Sequence, residues 1–126
     1  MQGGHKVRAQ HLVYGAMEDA SKQLKEKPLE VFDTALNNVK PVIEVRSRRV
    51  GGANYQIPVP VNEDRQEGLA LRWIIQVVRK RKGKDFQTLL TEELVQAYKG
   101  DGDAVRIKED MERMAEANKA FAHFRW

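Results

Sequence analysis

In RSRRVGGANYQIPVPV, residues 46–61, side chains alternate on both sides of a Gly-Gly pair, the pattern of a two-stranded ribbon with a tight turn. Extended back to about residue 42, one strand places Ile43, Val45 and Ser47 on one face and Glu44, Arg46 and Arg48 on the other. The return strand sets Tyr55, Ile57, Val59 and Val61 against Asn54, Gln56, Pro58 and Pro60. Both prolines remove N–H donors from the same side, so the ribbon is expected to be an edge that no further strand joins. Two strands alone are marginal in water, so the base must rest on other elements while the tip projects.

The flanking segments read as helices. Leu12, Val13, Ala16, Ala20 and Leu24 recur at helical spacing between about His5 and Lys25; Pro28 suits a first helical position, and Leu29, Phe32, Ala35, Leu36 and Val39 form a second stripe ending before Pro41. After the ribbon, Asp64 is the expected cap of a helix to about Lys82. Its Leu71, Ile74, Ile75 and Val78 should face inward and its Arg65, Arg72, Gln76 and Arg79 outward. Asp85 opens a helix carrying Phe86, Leu89, Leu90, Leu94 and Ala97, which ends at Lys99 and Gly100. A last helix from near Asp103 should bury Ile107, Met111, Met114 and Phe121, leaving His123, Phe124, Arg125 and Trp126 as an aromatic and basic tail. The expected architecture is mainly α: a helical bundle with a protruding two-stranded β-hairpin, about residues 42–61, in a single domain spanning 1–126.

Charge is distributed unevenly. Residues 40–84 hold 11 Lys or Arg against 4 Asp or Glu, a net of +7, whereas the remainder holds 11 against 14, a net of −3. Such segregation steers a polyanion to one face. Arg46, Arg48 and Arg49 flank the glycine turn, and the run Arg79, Lys80, Arg81, Lys82 exceeds what a helix C-terminus needs to complement its dipole. The bland alternatives are protection of an edge strand by charge and a solvated helix face. A ribbon and an adjacent helix that are both basic favour phosphate contact.

Catalysis has little support in the sequence. His5 and His11 are six residues apart, off the spacing of a helical metal pair, and no phosphate loop or nucleophile motif occurs. With no cysteine there is no thiol nucleophile, disulfide or thiolate metal site. No cofactor is expected. Trp73 and Phe32 read as core, and Met111 and Met114 as core filler. For Trp126, base stacking and terminal anchoring stay equally open. No run approaches the roughly 18 apolar residues of a membrane span, and the start lacks a signal-peptide apolar region. No membrane association is expected.

Three stretches, RSRRVGGANYQIPVPV, LALRWII at Leu69 to Ile75, and MAEANKAFAHFRW at Met114 to Trp126, together resemble the family of ribosomal protein seven of the small subunit. The likeness runs in the same order over essentially the whole chain. It implies a non-enzymatic structural component of the small ribosomal subunit that binds the 3′ major (head) domain of small-subunit rRNA and nucleates head assembly. By resemblance, Arg46, Arg48, Arg49, Arg72 and Arg79 hold rRNA, joined by Lys6 and Arg8; the residue reading adds Lys80, Arg81 and Lys82. The hairpin tip, Val50, Gly51, Gly52, Ala53 and Asn54, and the C-terminal Lys119, His123 and Arg125 are implied to lie near the exit-site tRNA and mRNA path. Deleting Ala120 to Trp126 is then expected to spare RNA affinity.

Neighbouring small-subunit ribosomal proteins are the other implied partners, and no homo-oligomer is expected. The usual basic N-terminal arm and first helix of that family are not in this sequence. The implied location is a bacterial cytoplasmic ribosome or, alternatively, a mitochondrial or chloroplast one. The rival from another class is an architectural DNA-binding protein that lays a basic β-ribbon arm into a minor groove.

Overall fold

A computed structural model describes the backbone of residues 3–124 and the side chains of residues 7–124. Among the described residues five α-helices form one core: α1 (Gly3–Leu24), α2 (Pro28–Val39), α3 (Glu63–Lys80), α4 (Phe86–Tyr98) and α5 (Asp103–Ala117). Two strands, β1 (Ile43–Val50) and β2 (Ala53–Pro60), lie between α2 and α3, and a 3-10 turn (Lys119–Phe124) follows α5. The expected bundle with an inserted hairpin is the fold observed.

Helix α4 is the centre of the bundle, touching α1, α2, α3 and α5. Its Leu89, Leu90, Leu94, Val95 and Ala97 are buried around most of its circumference. Helices α1 and α2 form an antiparallel pair whose bend is made at Lys25, with φ of 56°, while the Glu26 N–H donates to the Ser21 carbonyl. Pro28 starts α2 as expected. Ala16 and Ala20 on α1 and Ala35 on α2 are fully buried, small side chains that let the helices approach closely.

Three details differ from the sequence pattern. Asn62, not Asp64, caps α3: its Oδ1 accepts from the Arg65 N–H at 2.9 Å, and the helix ends at Lys80. Asp64 instead stands in the first turn, where its charge complements the helix dipole. Leu71 is exposed and Ile75 half-buried, because α3 turns Leu69, Ala70, Trp73, Ile74, Val77 and Val78 to the core. Met114 is exposed on α5, because that helix turns Ala104, Val105 and Ala115 to the core.

The hairpin pairs antiparallel in the register Ile43↔Pro60 to Val50↔Ala53. Gly51 and Gly52, at φ of 58° and 85°, make the two-residue turn, whose central residues both need positive φ. No third strand joins the sheet among the described residues. At the base Ile57 and Pro58 are both buried, so both faces are covered there, by α5 and by the 3-10 turn. At the tip nothing lies within 4 Å of where a Cβ on either turn glycine would stand. A seated base and a free tip are the arrangement that two strands alone require.

The assignment of the α3 cap is testable. Asn62→Ala should lower stability by about 1 kcal/mol in urea denaturation, and Asp64→Ala by clearly less; equal losses would contradict the cap observed.

Candidate nucleic-acid interface

Glu44 organises the base of the ribbon. This carboxylate of β1 is only 5% exposed. Arg65, from the first turns of α3, binds it through both ends of its guanidinium, Nε to Oε2 at 2.5 Å and Nη2 to Oε1 at 2.8 Å. Arg46 approaches from the same strand face at 3.5 Å. The hydrogen bonds from Arg65 hold the Glu44 carboxyl below its ordinary value of 4.5, overcoming the opposite push of burial, and the Arg65 and Arg46 charges add to the effect. Just before the ribbon, Lys40 at the end of α2 lies 3.6 Å from Glu67 of α3 and ties those two helices together nearby. Ribbon and α3 are therefore locked together at their bases.

From that lock the basic side chains run along α3. Arg65, Arg72 and Arg79 recur every seven residues, about 10 Å apart at the helical rise. Two shallow grooves lie on this face and share Arg72: one of about 350 Å³ along Arg65 and Gly68, the other of about 500 Å³ along Leu71, Ile75, Gln76, Arg79 and Lys80. Among the described residues Arg49, Arg72, Arg79, Lys80 and Lys82 are exposed and form no ion pair. Unpaired and solvated, these cations can meet phosphate without first breaking an internal bond.

The other predicted cations are placed differently. Arg81 turns inward, its Nη2 lying 2.8 Å from Glu93 Oε2 and 3.0 Å from Asp103 Oδ2. Glu93 has no exposed surface, and its other oxygen accepts from the Ala104 N–H at 3.0 Å, capping α5 from a neighbouring helix. Gly102 makes room for this, since a Cβ there would stand 3.0 Å from Glu93 Oε1. Arg81 thus joins α3 to α4 and α5 instead of facing outward. Arg48 is half-buried and donates to the Phe124 carbonyl. Arg8 is exposed on α1, which packs on α4 and α2, away from the ribbon's own supports. The Lys6 side chain and Arg125 lie outside the described residues.

At the ribbon tip, residues 51–54 are exposed and Val50 is half-exposed. The tail lies against the same ribbon: the Tyr55 ring is 5.1 Å from Phe121 and 5.0 Å from Phe124, and His123 packs 4.0 Å from Phe124. Lys119 pairs with Glu116 at 3.0 Å on the exposed surface. Neither Glu44 nor the Tyr55 cluster stood out from the sequence. A carboxylate within a basic strand and Phe121 and Phe124 three residues apart were the available signals. Among the described residues no three His, Asp or Glu side chains gather as metal ligands, and no helix is long and apolar enough to cross a membrane.

Because the Glu44 value is lowered on folding, its stabilising effect is complete above pH 4.5 and is lost as pH falls through the folded value. The acid limb of stability against pH should therefore be flatter for Glu44→Gln than for the parent; identical limbs would contradict the pairing. Arg81→Ala, which strips the partner from a buried carboxylate, should cost about 3 kcal/mol, whereas exposed Lys82→Ala should stay within about 0.5 kcal/mol. Urea denaturation distinguishes these two results.

Comparison with known proteins accords with this geometry. Residues 1–119 match the family described as Ribosomal protein S7p/S5e. The whole chain aligns with 81% of the length of the small ribosomal subunit protein uS7 of Thermotoga petrophila at 54% identity. It aligns equally fully, again with 81% of the relative's length, with the uS7 proteins of Pelotomaculum thermopropionicum and Pelagibacter ubique, each at 52%. The chain belongs to the ribosomal protein S7p/S5e family, whose members are structural and not enzymatic components of the ribosome.

Proposed function

We propose that this chain binds small-subunit rRNA in the head domain and nucleates folding of that domain, using the ribbon and the outer face of α3 as one continuous surface. The observation that carries the reading is the set of exposed, unpaired cations Arg49, Arg72, Arg79, Lys80 and Lys82, beside a ribbon whose acidic residue is internally neutralised. Binding of this kind neutralises phosphate and matches the shape of a folded junction.

The exposed tip at 51–54 and the tail residues Lys119 and His123 would then lie toward the exit-site tRNA and mRNA path, and the remaining mixed-charge helix surfaces would meet neighbouring small-subunit proteins. The relatives named above are bacterial, which supports a cytoplasmic ribosome. A minor-groove DNA arm would use the ribbon tip without engaging α3, so the cations of α3 separate the two readings.

The test is affinity for a folded head-domain rRNA fragment and for an equal-length generic duplex, each across a salt series. Preference for the fragment should persist at high salt. Arg49→Ala, Arg72→Ala and Arg79→Ala combined should leave helix content unchanged and reduce the salt slope by roughly one per cation removed. Equal affinities for both RNAs, or an unchanged slope in the variant, would refute the proposal.

A further inference from the structure

The ribbon is supported at two heights. Its base is held by Glu44, Arg65 and Arg46. Halfway to the tip, at the opposed pair Arg48↔Tyr55, the C-terminal 3-10 turn closes on the same strand face. Side chains three residues apart eclipse in a 3-10 helix, so Phe121 and Phe124 stack, 6.3 Å apart with their planes at 17°. Both rings meet Tyr55, and the Arg48 guanidinium donates to the Phe124 carbonyl from the neighbouring strand. One aromatic side chain of β2 and one cation of β1 are thereby fixed to the last turn of the chain.

We infer that Tyr55, Phe121 and Phe124, with Arg48 on the Phe124 carbonyl, form a clamp that sets the angle at which the ribbon leaves the bundle, making the C-terminal tail a positioning element for RNA binding. The inference rests on the rRNA reading above and names what keeps the ribbon and α3 in one register. A ribbon of two strands has no internal means of holding its direction. Without the clamp, the Glu44–Arg65 lock and α5 hold only the root of the ribbon, and the segment beyond Arg46 pivots about them. Fixing its direction before RNA arrives removes an ordering cost from binding.

This reverses the expectation that the tail is separable from RNA affinity. Arg48 accordingly acts by holding the tail, while Arg49, exposed and unpaired at the next position, faces outward. The aromatic rings are positioning residues, since nothing requires them to touch RNA. Their loss should therefore matter only while the ribbon cations are present.

The chain has no cysteine, so Ala53→Cys and Gln76→Cys introduce a unique pair of spin-label sites on the tip and on α3. In the parent the tip-to-α3 distance should be a single narrow distribution. Tyr55→Ala, and separately deletion of Ala120 to Trp126, should broaden it and weaken binding to the head rRNA fragment by about tenfold, while Tyr55→Phe keeps both parental values. With Arg49→Ala already present, which removes the ribbon's outward-facing cation and leaves the base lock intact, Tyr55→Ala should cause little further loss, as positioning requires; a full additive loss would mean direct contact or general destabilisation and would overturn the clamp. An unchanged distance distribution in Tyr55→Ala and in the deletion would overturn it as well. A parent without preference for the head fragment would refute the RNA reading, and the width of the distance distribution would still decide the clamp.

Discussion

A carboxylate buried in a basic strand controls the geometry of this protein. Glu44 loses its water on folding and recovers the loss only because Arg65 reaches it from the next helix with two hydrogen bonds, with Arg46 adding a further charge. Without that partner the strand would hold an uncompensated charge at the point where it leaves the bundle. The pair therefore fixes where α3 begins relative to the ribbon, and the 18 residues of α3 carry that orientation along the length of the basic track. Replacing Glu44 with an apolar residue would keep the hydrophobic contacts of the base and abandon this register.

Internal pairing also separates the cations by task. Arg65, Arg81 and Arg48 each have a partner within the chain, and each joins two elements: ribbon to α3, α3 to α4 and α5, ribbon to tail. Arg49, Arg72, Arg79, Lys80 and Lys82 have no such partner among the described residues and stay solvated. The first group shapes the surface on which the second is displayed. A net charge of +4 therefore understates the field at that surface.

The helices and the ribbon were legible because their periods of 3.6 and 2 are properties of local sequence. Helix rotation was less so: Leu71, Ile75 and Met114 look as apolar as Trp73 and Val77, and only packing against α4 and α5 decides which of them are covered. The basic surface was visible as a charge run, but its division into paired and unpaired members was not. The partners of Arg81 lie 12 and 22 residues away, and the carbonyl that holds Arg48 lies 76 residues away. Tyr55 meeting Phe121 and Phe124 is likewise a tertiary fact, available only once the chain returns to the hairpin after α5.

On the function proposed above, the ribbon and α3 together form one RNA surface. Backbone amide shifts of the labelled protein, followed as a folded head-domain rRNA fragment is added, test it most directly. The largest changes are expected along Arg46 to Asn54 and Arg72 to Lys82, saturating at the same RNA concentration. Changes confined to the ribbon, or centred on α1 and α2 with the track of α3 unmoved, would contradict it.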